Sequence, residues 1–258
     1  MEEKTSRVYK WLKGGKAYPF KVDLFLTNKC NLNCVFCNYP KKKPVKELDK
    51  KTIMSIAEES GRLGVKIIGI LGGEPFTRKD VVIEFMAEIK KNGISGSIVT
   101  NGMLIDTEDI KKIIGMKWDL IRFSLDGSNS SIHDSLRGYK GSFDRVINVI
   151  NHFNKLKEEF HANFPTIEIN TVLCKKNLED IENIIRLAHS LDIKRIYFLP
   201  MIEFVKGTNH LKIKKDDAKL VLNEIEKAEK IANTLGVSSN LDKIKQDYVF
   251  IKSNAIDA

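Results

Sequence analysis

The sequence predicts an α/β fold: an open, partial (β/α)6 barrel with parallel strands, followed by a C-terminal helical extension. Short β-branched runs alternate along the chain with longer segments that carry apolar residues at helical spacing. Parallel neighbouring strands need a crossover connection, so six successive strand–helix units imply one parallel sheet. The length of 258 residues suits one such TIM-like barrel or two small domains.

The strand predictions rest on β-branched and aromatic runs, and they cover 22–26, 67–71, 97–99, 120–124, 167–172 and 195–199. Apolar spacing predicts helices over 51–63, 80–91, about 107–115, 142–156, 180–191 and 216–235. We expect Asp106 or Thr107 to cap the third of these helices and Gly115 to end it. The stretches 125–141 and 201–217 are interpreted as loops, the second overlapping the start of the last predicted helix.

Composition indicates an ordinary globular protein, with 42% hydrophobic and 30% charged residues. No apolar run reaches the roughly 18 residues that cross a bilayer, and the first fifteen residues lack the apolar middle of a signal peptide. We therefore expect a cytoplasmic protein. We divide it into an N-terminal extension (1–20), the barrel (21–205) and a C-terminal helical extension or the start of a further domain (206–258).

The formal net charge is +9, from 43 Lys plus Arg against 34 Asp plus Glu. Such a balance attracts anionic partners. Most of the excess, however, consists of scattered lysine pairs, which are typical of a solvated surface. A nucleic-acid partner is therefore not expected, and neither is a membrane.

Three of the four cysteines, Cys30, Cys34 and Cys37, lie within eight positions of one another after the first predicted strand. They are a poor disulfide framework but suit thiolates that are kept reduced to bind metal. A structural zinc site usually takes four protein ligands. A [4Fe–4S] cluster normally takes four cysteines, so three would leave one iron free to bind something else. Both kinds of metal site stay open at this point.

Polar or glycine-rich motifs accompany the other strands, where the loops of a parallel α/β fold form one rim. They are "GGEP" (72–75), "TNG" (100–102), "SLDG" (124–127), Asn170 and "LPM" (199–201). Each has a simpler interpretation as a turn or a cap, including Ser124 and Asp126 as caps of the following loop. Their common position predicts that they face one cavity.

The cysteine spacing, with Phe36 just before the last cysteine, and the "GGEP" motif together resemble the radical S-adenosylmethionine (radical SAM) superfamily over about residues 23–201. The resemblance implies a [4Fe–4S] cluster on Cys30, Cys34 and Cys37, and S-adenosylmethionine bound to its open iron. It also implies an electron donor of the reduced flavodoxin or ferredoxin type. One electron then cleaves the sulfonium to methionine and a 5′-deoxyadenosyl radical, which takes a hydrogen atom from a peptide or small-metabolite substrate.

The same resemblance assigns cofactor contacts to individual residues. Gly72, Gly73 and Glu74 meet the methionine amino group, and Phe36 and Leu199 lie near the adenine. The remaining assignments place Ser124 and Asn170 at the methionyl or ribose end, Arg137 at the cofactor carboxylate, and Thr100 and Asn101 toward cofactor or substrate.

Two of the candidate residues have an equally simple structural interpretation. A guanidinium suits bidentate binding of a carboxylate, but Arg137 is also placed to be a surface arginine that pairs with Asp134 or Asp144. Cys174 shares strand parity with Asn170, which would let its thiol point to the rim as a hydrogen-atom donor, whereas a free cysteine is more often a small buried hydrophobe.

The motifs most resemble the maturases with an auxiliary-cluster (SPASM or Twitch) domain and the cyclase that makes the first molybdopterin precursor. Both need further cysteines downstream, and outside the motif this sequence has only Cys174. Two other classes of protein remain as alternatives: a zinc- or cluster-containing nucleic-acid-binding module, and a non-catalytic scaffold that keeps the barrel. The substrate is not evident from the sequence.

Overall fold

The computed structural model describes residues 2–16, 18–41, 43, 45–202 and 205–246. They form a six-stranded sheet in which every neighbouring pair is parallel and the strand order follows the chain. The strands are β1 (Lys21–Thr27), β2 (Ile67–Gly72), β3 (Ser95–Thr100), β4 (Leu120–Ser124), β5 (Thr166–Leu173) and β6 (Ile196–Pro200). In the described residues β1 and β6 do not pair, so the predicted open, partial (β/α)6 barrel is confirmed.

The helices are α1 (Glu2–Leu12), α2 (Lys50–Arg62), α3 (Lys79–Lys91), α4 (Thr107–Gly115), α5 (Ser130–Arg137), α6 (Ser142–Glu159), α7 (Ile181–Ser190) and α8 (Ala218–Leu235). Asp106 caps α4 as predicted, accepting from the Asp109 N–H. Between 201 and 217 two short 3₁₀ turns interrupt the predicted loop.

Helix α5 lies within a stretch that the sequence predicted to be loop, and that prediction was wrong. The side chain of Asn129 caps its first turn, and Gly138 ends it with φ 67°. The buried face of α5 includes His133 and Arg137, so apolar spacing alone did not reveal it.

The strands send alternate side chains to two different environments. One face packs under the helices in a single apolar core, with Ile70, Ile98, Phe123 and Phe198 among its members. The other face lines the barrel interior, where Phe25 of β1 remains exposed. Among the candidate site residues, Ser124, Asn170 and Leu199 belong to this second face.

The described part of the C-terminal extension shares the barrel core. Val221 and Ile225 of α8, together with Ile244, are buried in it. At the other end, Arg7 of α1 donates to the carbonyl oxygens of Pro19 (3.1 Å) and Gly64 (2.6 Å). The domain boundaries stay predictions, and residues 247–258 lie outside the described part.

None of the described helices combines the length and the apolar composition that crossing a bilayer requires.

Candidate iron–sulfur and nucleotide site

A cavity of about 260 Å³ opens at the carboxyl ends of β1 to β4. All three motif cysteines line it, together with "GGE" (72–74), Phe36, Thr100, Asn101, Ser124 and Arg137. Its remaining wall residues are Phe25, Leu32, Tyr39, Leu71 and Val99. The structure thus brings most of the predicted site residues together. The apolar wall went unpredicted, although strand alternation would have indicated it.

Larger cavities lie elsewhere: one of about 420 Å³ beside the ends of β5 and β6, one of about 580 Å³ beside α4 and the end of α6, and one of about 850 Å³ along the second half of α6. None of the three is lined by a cysteine. Chemistry rather than size therefore identifies the site.

The cysteine loop is held against α5 from both its backbone and its side chains. The Val35 N–H donates to the Leu136 carbonyl oxygen at 2.9 Å. Cys34 and Phe36 pack on Leu136 in a small buried cluster. The unpredicted helix therefore supports the loop that carries the cysteines.

Gly72 and Gly73 let the end of β2 touch the backbone of the cysteine loop. A Cβ at Gly72, whose φ is +140°, would lie 2.4 Å from the Thr27 carbonyl oxygen, and one at Gly73 would lie 2.1 Å from that of Lys29. In this contact the Gly73 N–H donates to Thr27 and the Glu74 N–H to Lys29, both at 2.8 Å. The glycines are thus required for close backbone approach. Their contact with the methionine amino group stays a prediction.

Glu74 is buried at the cavity wall, with 1% of its surface exposed. Its carboxylate accepts from the Thr100 hydroxyl at 2.8 Å, the Asn101 N–H at 2.7 Å and the Phe76 N–H at 3.1 Å. Burial raises the pKa of this carboxyl to about 7, although the hydrogen bonds oppose the shift. The side-chain amide of Asn101 donates in turn to Asn31 in the cysteine loop at 2.8 Å. Thr100 and Asn101 therefore also position Glu74 and the loop.

Arg137 is buried and points at the site. Its Nε lies 2.7 Å from Asp126 Oδ2, in an ion pair whose atoms are not aligned as a hydrogen bond. Its Nη1 lies 3.8 Å from Cys34 Sγ, and its guanidinium carbon is 5.7 Å from the centre of the Phe36 ring. Arg137 is therefore not the surface arginine of the alternative interpretation. Asp134 accepts instead from the N–H groups of 141 and 143 at the start of α6.

Asp126 is a site residue whose role the sequence reasoning missed, having treated it as a possible loop cap. It is fully buried, and its Oδ1 accepts from the Val172 N–H at 2.8 Å. Burial raises the pKa of its carboxyl, and the charge of Arg137 opposes the shift. The partners are eleven positions apart and meet only because α5 folds back beside β4. A buried pairing of this kind leaves no local pattern in the sequence.

Asn170, Leu199 and Cys174 are not on the wall of this cavity. Asn170 is in register with Ser124 on the interior face of the sheet, and its buried Oδ1 has no hydrogen-bond partner in the described structure. Leu199 lies on the interior face of β6 and is 37% exposed. Cys174 is fully buried beside Cys34 and Leu136, which favours the packing role. A hydrogen-donor role for Cys174 stays a prediction.

The residues present fit a cluster held by three thiolates and a polar ligand beside it. Burial raises the pKa of Cys30 to about 11 and also raises that of Cys34, so a bound cation has to replace their protons. Within the described ranges no three His, Cys, Asp or Glu side chains converge on one ion. A four-iron cube binds each thiolate on a separate iron, so the three sulfur atoms have to lie farther apart than ligands that share a single ion. The unpartnered amide oxygen of Asn170 offers an acceptor to a neighbouring ligand.

Three thiols at the carboxyl end of an open parallel barrel define the class of iron–sulfur barrel proteins. The chain belongs to the radical SAM superfamily, whose family model matches residues 24–188. The cofactors of this superfamily are a [4Fe–4S] cluster and S-adenosylmethionine, as the sequence motifs predicted.

Relatives with curated names confirm the predicted kinship with maturases and cyclases. An AdoMet-dependent heme synthase from Methanosarcina barkeri is 31% identical over 211 residues, 80% of this chain and 58% of that protein. A PqqA peptide cyclase from Ruegeria pomeroyi is 30% identical over 66% of this chain and 44% of its own length. A probable GTP 3′,8-cyclase from Methanocaldococcus jannaschii is 30% identical, over 70% and 60% respectively. The chain spans about half the length of these relatives.

The fold also matches a solved structure. Streptococcus suis SuiB bound to S-adenosylmethionine superposes with a TM-score of 0.74 and 23% identity, covering 93% of this chain and 54% of SuiB. At that identity the likeness concerns the fold.

Proposed function

We propose that this protein is a radical SAM enzyme: it cleaves S-adenosylmethionine reductively, and the nucleoside radical abstracts a hydrogen atom from a peptide or a small metabolite. One observation carries the proposal. A single cavity at the barrel rim is lined by Cys30, Cys34 and Cys37 together with Glu74 and Arg137. A soft-metal site thus adjoins one anionic and one cationic side chain, a combination that suits a zwitterionic amino-acid moiety.

When bound, the cluster supplies the electron that splits the sulfonium into methionine and the 5′-deoxyadenosyl radical. The chain's own residues bind and orient. Glu74 offers negative charge to an amino group, and Arg137 offers guanidinium donors to a carboxylate. Phe36 and the apolar wall exclude water from the reacting atoms.

The barrel interior offers a place for the substrate beside the cavity. Phe25 of β1 and both Tyr197 and Leu199 of β6 face the interior from the two edge strands of the sheet, yet they are 59%, 41% and 37% exposed. Apolar side chains left open inside a barrel are typical of a binding surface. A peptide substrate is supported by the relative named PqqA peptide cyclase and by a SuiB structure with its precursor peptide SuiA. The heme synthase relative supports a small molecule instead.

An electron donor of the flavodoxin or ferredoxin type completes the proposal. The net charge of +9 would attract an acidic donor, because summed charge steers association. The cysteines of the described chain are all unpaired. Free thiols suit a reducing compartment, so we propose the cytoplasm.

The test is anaerobic reconstitution followed by reduction with S-adenosylmethionine present. The wild type should hold about four irons per chain and release 5′-deoxyadenosine. Cys34→Ala should lose both, because it removes a ligand. Cys174→Ala is the matched control, since it removes a buried thiol outside the motif and should retain both. Full nucleoside release by Cys34→Ala, or stoichiometric zinc without iron in the anaerobically purified protein, refutes the proposal.

A further inference from the structure

A buried ion pair lies directly behind the cysteine loop. The side chains of Asp126 and Arg137 are 0% and 9% exposed, and 2.7 Å separates Oδ2 from Nε. Asp126 follows β4, whereas Arg137 ends α5. Burying two charges is costly, so such a pair has to be compensated by its own attraction and by further hydrogen bonds.

The positive end of this pair faces a cysteine sulfur. Arg137 Nη1 lies 3.8 Å from Cys34 Sγ, and the guanidinium also lies over the Phe36 ring. A cation therefore contacts that sulfur. Asp126 stands behind it, with its Oδ1 taken by the Val172 N–H.

Asp126 is fixed by contacts on its main chain as well as on its carboxylate. Its N–H donates to His133 Nδ1 at 3.1 Å, and its carbonyl oxygen accepts from the side-chain amide of Asn177 at 2.9 Å. Both partners are buried, at 2% and 0% exposure. The carboxylate is thus a rigid support for the orientation of Arg137.

We propose that the Asp126–Arg137 pair sets the reduction potential of the cluster on Cys34, with Arg137 donating an N–H···S hydrogen bond to the thiolate and Asp126 acting as the positioning residue. This inference rests on the proposed function for the presence of the cluster. Hydrogen bonds to the sulfurs and nearby charge are the levers by which a protein adjusts such a cluster. Reduction adds negative charge, so the cation favours the reduced form and the more distant anion opposes it.

The experiment is an EPR-monitored redox titration of the anaerobically reconstituted protein without S-adenosylmethionine. Arg137→Gln should lower the midpoint potential, because it removes the cation and keeps an amide of similar shape. The equilibrium constant between oxidised and reduced cluster should change at least about tenfold, which for one electron corresponds to a shift of about 59 mV or more in the midpoint potential. Asp126→Asn should shift the potential in the opposite direction, because an amide of the same shape keeps Arg137 in position while the compensating negative charge is removed. A role limited to folding does not produce shifts of opposite sign.

Arg145→Gln is the matched control, since this arginine donates to main-chain carbonyl oxygens, including that of Ile105 at 2.5 Å. It should leave the potential at the wild-type value. An unchanged potential in Arg137→Gln, or shifts of the same sign in the two variants, overturns the proposal. If Arg137→Gln does not hold four irons, the midpoint potential of Asp126→Asn decides instead. The midpoint potential of Arg137→Lys must then stay close to the wild-type value.

The measurement also separates this inference from the proposed function. If the wild type assembles its cluster but the midpoint potentials of the two variants do not shift as predicted, only the role of the pair is refuted. A wild type that assembles no cluster refutes both, and a cluster that never yields 5′-deoxyadenosine refutes the proposed reaction alone.

Discussion

Replacing Gly73 by alanine tests whether the end of β2 has to touch the cysteine loop. The new Cβ would lie 2.1 Å from the Lys29 carbonyl oxygen, far inside van der Waals contact. That oxygen is backbone and cannot rotate away, so one of the two loops has to move. The movement stretches two hydrogen bonds, from the Gly73 N–H to Thr27 and from the Glu74 N–H to Lys29, both 2.8 Å long.

The magnitude follows from these contacts. Overpacking costs about 1–3 kcal/mol, and each weakened hydrogen bond costs about 1 kcal/mol. We expect Gly73→Ala to lower the free energy of unfolding by about 3–5 kcal/mol. In a chain of this size that corresponds to a melting midpoint lower by roughly 6–20 °C. Iron content should also fall, because the displaced loop carries Cys30.

Circular dichroism melting and iron analysis of the reconstituted protein measure the two effects. Gly115→Ala is the control, because this glycine ends α4, has open space around its Cβ position and does not have a positive φ. It should be neutral or stabilising by about 0.5–1 kcal/mol. A Gly73→Ala protein with the wild-type midpoint and four irons would show that the close contact between the loops is unnecessary.

Three further predictions concern pH, the core and a helix start. His133 is buried, and burial, followed by the charge of Arg137, lowers its pKa from 6.5 to about 3, so the unfolded chain binds the extra proton between these values. Stability should therefore fall as the pH drops through this window, by up to about 1.4 kcal/mol per unit, and urea titrations should show a shallower slope in His133→Asn. Gly96→Ala would place a Cβ 2.0 Å from the fully buried Trp118 ring and should cost about 1–3 kcal/mol by urea denaturation without loss of iron. Asp134→Ala removes the acceptor for two main-chain N–H groups before and within the first turn of α6 and should lower the melting midpoint by the equivalent of about 1–2 kcal/mol.

Each of these predictions has a result that contradicts it. An equal pH slope in wild type and His133→Asn would mean that His133 is protonated in the fold. Wild-type urea midpoints in Gly96→Ala would mean that the Trp118 ring has room to shift. An unchanged melting midpoint in Asp134→Ala would show that other contacts stabilise the start of α6.

The sequence by itself determined the order of the six strands and of six of the eight helices, and it identified the three cysteines and the "GGEP" motif. It did not predict α1. Strand and helix periods are local properties, so they can be recognised without knowing what packs on what. Carboxyl ends of parallel strands meet at one rim, so the shared position of the motifs also followed from the strand order. Helix α5 was missed because His133 and Arg137 occupy its buried face.

The tertiary structure decided how the site is held together. Only the folded chain brings Arg137 into contact with Asp126 and Cys34. Strand register and loop packing likewise decide that Cys174 is buried beside the cysteine loop, whereas Ser124 lines the cavity. A Cβ at Gly72 or Gly73 would clash with the backbone of a loop more than forty positions earlier in the chain, so the need for glycine there also depends on the tertiary structure. These contacts join residues that are distant in sequence, and their strength comes from burial. A local pattern contains no information about burial by remote segments, which is why the structure was needed.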